Sequence, residues 1–132
     1  MEFEKPPRKR GAGKTVLIVD DNAVIRKLIA EAFMSDGFQT CVGAENGIHA
    51  LELATRLKPD VVTLDLSMPL MNGLLAASEM RKVLPNVPII LFSVYGNTLS
   101  STDVSRAGIS LVLSKDTPVS MLLDRVHDLL RQ

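Results

Sequence analysis

Val16-Leu17-Ile18-Val19-Asp20-Asp21-Asn22 is the stretch that decides the fold. Its first four residues are apolar and three of them are β-branched, a run long enough for a strand and too short for a helix. No polar position interrupts it, so both faces of that strand must be covered, as in a parallel sheet with helices above and below. The run stops at two carboxylates, and Asn22 behind them can cap a helix. In that helix Val24, Leu28 and Ala32 line one face beside Ile25, Ile29 and Phe33, and Asp36-Gly37 ends it.

The same change of period recurs along the chain. Residues 61–64, broken only by Thr63, and residues 89–92 read as buried strands, whereas 38–42 and 109–113 mix polar and apolar residues as edge strands do. A second helix is expected over residues 45–57, stopped by Lys58-Pro59, and a third from Met71-Asn72-Gly73 to Leu84-Pro85. The fourth, over 98–106, is crowded with Ser100, Ser101, Thr102 and Ser105 and should be the least rigid. The fifth starts near Thr117-Pro118 and sets Val119, Leu122, Val126 and Leu129 on one face. Five strands alternating with five helices over short connections define one α/β domain, residues 15–132.

Composition agrees with one folded domain: 132 residues, 46% apolar, with 15 basic and 15 acidic side chains. The zero net charge hides a split, +3 over residues 1–14 and −3 over the rest. Pro6-Pro7 and Arg8-Lys9-Arg10 make residues 1–14 read as a solvated, poorly ordered basic leader. Its charges are too few for useful nucleic-acid affinity at physiological salt, so no direct nucleic-acid binding is expected. Gly11-Ala12-Gly13-Lys14-Thr15 imitates the end of a phosphate-binding loop, but Arg8 stands where the first glycine belongs and the segment precedes the first strand. One cysteine, Cys41, excludes an internal disulfide, and no segment reaches the roughly 18 uncharged apolar residues of a membrane helix. A soluble, cytoplasmic protein without membrane contact is expected. His49 and His127 have no second ligand at a metal-like spacing and read as structural, as does Cys41.

Chemistry in an open parallel sheet gathers at the carboxyl ends of its strands. There the chain carries Asp20-Asp21 after the first strand, Asp65 after the third, Ser93 after the fourth and Lys115 after the fifth. Carboxylates forced together repel unless a cation neutralises them, and oxygen donors without Cys or His favour Mg²⁺.

These residues also carry a family resemblance. Val16-Leu17-Ile18-Val19-Asp20-Asp21-Asn22, Pro59-Asp60-Val61-Val62-Thr63-Leu64-Asp65-Leu66-Ser67-Met68-Pro69-Leu70-Met71-Asn72-Gly73, Pro88-Ile89-Ile90-Leu91-Phe92-Ser93, Ala107-Gly108 and Lys115 resemble the receiver domain of response regulators, of the chemotaxis-regulator kind. The resemblance implies a flavodoxin-like, doubly wound (βα)5 fold with strand order 2-1-3-4-5. It implies that Asp65 is the phosphoacceptor of a two-component phosphorelay, phosphorylated by a sensor histidine kinase or histidine phosphotransfer protein. Asp21 and Asp65 would bind Mg²⁺ through their side chains, Asp20 through a coordinated water and Ser67 through its backbone carbonyl. Lys115 would pair with the phosphoryl oxygens, and the Ser93 hydroxyl would turn toward them. The face of the fourth helix, fifth strand and fifth helix would then change its affinity for an output partner that the sequence does not name.

Four positions depart from or modulate the pattern. Val112 stands where the family often has an aromatic residue. Lys115-Asp116 replaces a common Lys-Pro, so a trans bond is expected and Pro118 is left to start a helix. Ser67 and Tyr95 occupy positions that influence phosphoryl lifetime in the family. A phosphorylation-independent interaction module is the alternative; a phosphate-ester hydrolase would need a cap insertion for which the short connections leave no room. Homodimerisation is left open. The end at Gln132, directly after the fifth helix, fits a stand-alone receiver or one cut from a larger regulator.

Overall fold

A computed structural model describes residues 10–68, 71–94 and 98–132. Along them run β1 (Thr15–Val19), α1 (Ala23–Ser35), β2 (Thr40–Ala44), α2 (Gly47–Leu57), β3 (Val61–Leu64), α3 (Gly73–Val83), β4 (Ile89–Ser93), α4 (Ser101–Arg106), β5 (Leu111–Ser114) and α5 (Val119–Leu130). The strands form one parallel sheet in the order β2-β1-β3-β4-β5, the flavodoxin-like arrangement. The two mixed strands do lie at its edges. Strand order reverses between β1 and β3, which opens the crevice where Asp20 and Asp65 emerge.

The uninterrupted apolar runs divide by parity between two cores. Leu17, Val19, Val62, Leu64, Ile89 and Leu91 face Ala50, Leu53 and Ala54 of α2 and Ala76, Ala77 and Met80 of α3. Val16, Ile18, Val61, Ile90 and Phe92 face Ile29 and Phe33 of α1 and Leu122 and Val126 of α5. Small alanines let α2 and α3 lie close on the sheet, while Phe33 and Leu122 fill the other side; each fully buried large side chain contributes about 1.5–3 kcal/mol. Thr63 is the exception its sequence position announced. It is 1% exposed, and its hydroxyl has no hydrogen-bond partner among the described residues, which costs about 1–3 kcal/mol. Burial pushes the Cys41 thiol up, so it stays protonated and serves as packing against the α1 side.

Several boundaries differ from expectation for identifiable reasons. The second strand begins at Thr40, not Phe38. Gly37 takes φ 101° and the Phe38 amide donates to the Phe33 carbonyl, so the chain folds back. The Phe38 ring then meets Phe33 edge-on at 4.8 Å instead of joining the edge strand. Helix α4 starts at Ser101, later than residue 98, because the Ser100 hydroxyl accepts from the Asp103 amide and caps it there; none of its six residues is buried. In α1 the Ile25-Ile29-Phe33 stripe, with Ala30 beside it, packs inward, leaving Val24 66% and Leu28 53% exposed. Of the expected leader, residues 1–9 lie outside the described residues, but 10–14 lie against the body. The Gly11 amide donates to Asp36, Ala12 bridges Phe38, and Arg10 pairs with Asp36 and Asp124.

Candidate functional site

Backbone pairing carries the first two strand ends directly into the site. The Asp20 amide donates to the Ala44 carbonyl at 3.0 Å, and the Asp65 amide to the Val19 carbonyl at 2.9 Å. Both carboxylates are thereby held at the crevice, Asp20 2% and Asp65 7% exposed, while Asp21 beside them is exposed. The three offer oxygens that all lie within 4.8 Å of one another, the arrangement of a cation site. Asp21 makes no hydrogen bond or ion pair among the described residues.

Lys115 answers this acid from β5. Its Nζ stands 2.6 Å from Asp20 Oδ2 and 3.2 Å from Asp65 Oδ2. Burial pulls the Lys115 ammonium down, but the hydrogen bond and charge of Asp20, followed by those of Asp65, outweigh it and hold it above its ordinary 10.5. It is therefore fully charged at neutral pH, a compact cation shared by two carboxylates. The Lys115 amide also donates to the Ser93 carbonyl at 3.3 Å, and Ser93, fully buried, pairs in register with Ser114. Ser93 thus sits one strand away from the lysine and at the same end of the sheet.

The loop after Asp65 is pinned from the opposite side. A β-carbon on Gly73 would stand 2.4 Å from the Asp65 carbonyl oxygen and 2.7 Å from Leu66 Cα, so only glycine lets α3 start this close. The Gly73 amide donates to Leu66 at 2.8 Å and Asn72 caps the helix on the Leu75 amide. Ser67 is exposed on this loop, while Met68 and Met71 pack toward α2 and α3. Pro69, Leu70 and Tyr95 lie outside the described residues. Val112 is half-buried opposite Leu91, on the α2–α3 side of the sheet. No cis peptide bond occurs among the described residues, and Pro118 stands at the N-cap of α5.

Two further residues touch Asp20: Asn22, which the sequence marks only as a helix cap, and Arg26, which it does not mark at all. The Asn22 amide donates to Asp20 Oδ1 at 2.9 Å, while its own side chain caps α1 on the Val24 and Ile25 amides. Arg26 Nη1 donates to the Asp20 carbonyl at 2.6 Å. His127, read as structural, is 4% exposed and its Nε2 meets Asp36 Oδ2 at the opposite end of the sheet.

A parallel sheet that collects three carboxylates, a hydroxyl and a lysine at its switch point defines a class, and comparison with known proteins gives it a family. The family model for the response regulator receiver domain matches residues 16–127. The chain belongs to that family. It is 36% identical over 115 residues to a chemotaxis protein CheY of Thermotoga maritima, covering 87% of this chain and 96% of that one. It is 35% identical to a protein-glutamate methylesterase/protein-glutamine glutaminase of Photobacterium profundum, with 89% of this chain matching only 32% of that longer protein. The CheY of a CheX-CheY-BeF3-Mg complex from Borrelia burgdorferi superposes with a TM-score of 0.85 at 28% identity, covering 92% of this chain and 97% of that one. The chain is therefore a receiver domain of the CheY-like two-component type. No helix among the described residues is long and apolar enough to cross a membrane.

Proposed function

We propose that this domain accepts a phosphoryl group on Asp65 from the phosphohistidine of a sensor histidine kinase or histidine phosphotransfer protein, with Mg²⁺ as cofactor, in the cytoplasm. The observation that carries the reading is the buried Asp65 carboxylate within 4.8 Å of two others and 3.2 Å from the Lys115 ammonium. Such crowding is expensive for a merely structural site. The donor chemistry fits a hard cation, being all oxygen: Asp21 and Asp65 by their side chains, Asp20 through water, and the Ser67 backbone carbonyl. When bound, the ion supplies positive charge between two anions that would otherwise repel.

The chain's own groups do the rest. An Asp65 carboxylate oxygen forms the bond to phosphorus while the phosphorus–nitrogen bond of the donor breaks and its electron pair stays on the imidazole. Lys115, already charged and aimed at Asp65, exchanges that contact for a phosphoryl oxygen. The Ser93 hydroxyl turns toward the same group and draws the segment leading to α4. That helix has no buried residue to resist, so the α4-β5-α5 face changes its affinity for an output partner. Val112 requires this coupling to run through an aliphatic side chain. A difference of a few kcal/mol between states inverts their populations.

Incubation with Mg²⁺ and acetyl phosphate, followed by intact mass measurement, should show one phosphoryl addition that Asp65→Asn abolishes. No addition to the wild type in the presence of Mg²⁺ would reject the proposal in favour of a phosphorylation-independent module.

A further inference from the structure

Arg26 lies one turn into α1, and nothing in the phosphoryl chemistry above requires it. Its guanidinium reaches back across the β1–α1 turn and donates to the Asp20 carbonyl at 2.6 Å, a short charge-assisted bond. That oxygen belongs to the peptide joining Asp20 to Asp21, so the bond fixes the plane from which the Asp21 side chain departs. Asp20 has other restraints: its amide on Ala44, Oδ1 on the Asn22 amide and Oδ2 on Lys115. Asp21 has none among the described residues, being exposed and without a hydrogen bond or ion pair. Among the described residues, the restraint that reaches the exposed carboxylate is therefore one on the backbone it departs from.

A second feature belongs to the same arrangement. Gly43 of β2 has no positive φ, so its backbone does not require glycine, and it is exposed. A β-carbon there would stand 3.3 Å from Arg26 Cδ and 3.4 Å from Nε. The missing side chain leaves the channel along which the arginine stem runs over the edge strand.

We propose that Arg26 is a positioning residue for the metal site: through the Asp20 carbonyl it holds Asp21 in the direction needed to bind a divalent cation, and Gly43 keeps its path clear. The proposal rests on the metal-dependent reading of the site. Groups that orient ligands from behind typically change metal affinity about 10–100-fold. With only one of three carboxylates affected, Arg26→Gln should weaken binding by about tenfold.

Titration of the metal-free full chain with Mn²⁺, followed by the electron paramagnetic resonance of the free ion, reads this directly, with Mg²⁺ calorimetry as the parallel measurement. Arg26→Gln is expected to bind about tenfold more weakly, and Arg26→Lys, which keeps a cationic donor, to recover to within about twofold of wild type. Gly43→Val keeps the arginine and crowds its stem, so a loss of affinity smaller than that of Arg26→Gln is expected and tests the idea should Arg26→Gln fold poorly. Thermal melts without metal accompany each variant. Wild-type affinity in both Arg26→Gln and Gly43→Val would overturn the proposal. So would a loss in Arg26→Gln that Arg26→Lys leaves uncorrected and that tracks the melting temperature, since Arg26 would then only tie α1 to the sheet. Acetyl phosphate labelling of the wild type is run alongside: its failure would reject phosphorylation of Asp65, whereas the Mn²⁺ series judges Arg26 whatever the labelling shows.

Discussion

Both ends of the sheet hold buried charge, and they hold it in opposite ways. At the amino end, His127 faces Asp36, Arg10 bridges Asp36 to Asp124, and the Arg81 guanidinium donates to the carbonyls of Gly108, Leu84 and Val87. Burial pulls the Arg81 guanidinium down from its ordinary value, yet three carbonyls occupy its donors. At the carboxyl end, Asp20 and Asp65 share the ammonium of Lys115, and Asp21 beside them is left without a partner among the described residues. Saturated charge fastens elements together: α1 to α5 through Asp36 and His127, and α3 to the β4 and β5 approaches through Arg81. Unsaturated charge stores a demand for a cation, and that demand is what a receiver can use.

The largest break in this comparison should come at the amino end. His127→Ala leaves Asp36 largely buried with only the exposed Arg10 beside it, and a buried acceptor that loses its hydrogen-bond partner costs about 1–3 kcal/mol, so a loss of about that size is expected in urea unfolding. Phosphoryl incorporation from acetyl phosphate, measured below the unfolding transition, should remain at the wild-type level. A small stability change together with lost incorporation would mean that the two ends are not separate in function.

At the carboxyl end the sign should reverse. Asp65→Asn removes one of three crowded carboxylates and leaves Lys115 to Asp20, so metal-free stability should rise by about 0.5–1 kcal/mol. Addition of Mg²⁺ should narrow or invert the gap, because the wild type gains more from binding. Urea unfolding with Mg²⁺ and with chelator gives all four values. A destabilised metal-free Asp65→Asn would show that the acidic cluster is already balanced.

How much of this was legible in the sequence follows from the same contrast. The buried strands were readable because residues covered on both faces leave an unbroken apolar run, and the strand ends then listed Asp20, Asp21, Asp65, Ser93 and Lys115. The amino-end cluster was not, since Asp36 and His127 are 91 residues apart and a lone carboxylate meeting a lone histidine follows no spacing. Arg26 escaped for a related reason: its partner is a backbone carbonyl, which every residue has. Phe38 reads as edge strand because residues 38–42 mix polar and apolar side chains as an edge does; the turn at Gly37 and the edge-on contact with Phe33 decide otherwise. Val24 and Leu28 carry the same periodicity as the buried stripe, and only the position of α5 tells which stripe faces inward.

The smallest expected effect is invisible at neutral pH. Lys115 is held above 10.5 in the folded state by Asp20 first and Asp65 second, against the opposing pull of burial. A group with a raised folded value contributes its stabilisation fully below the unfolded value and loses it as pH rises through the folded one. The stability gap between wild type and Lys115→Met should therefore be constant from pH 6 to about pH 9 and shrink only above 10.5. In an Asp65→Asn background the gap should be slightly smaller and vanish at a slightly lower pH, because the weaker of the two pulls is gone, whereas in Asp20→Asn it should be clearly smaller and vanish clearly earlier. Urea unfolding followed by circular dichroism at pH 7, 9 and 11 separates these cases. A gap that closes between pH 7 and 9 would show that the carboxylates do not hold the ammonium, and with it would fall the idea that this end of the sheet keeps a charged lysine ready beside Asp65.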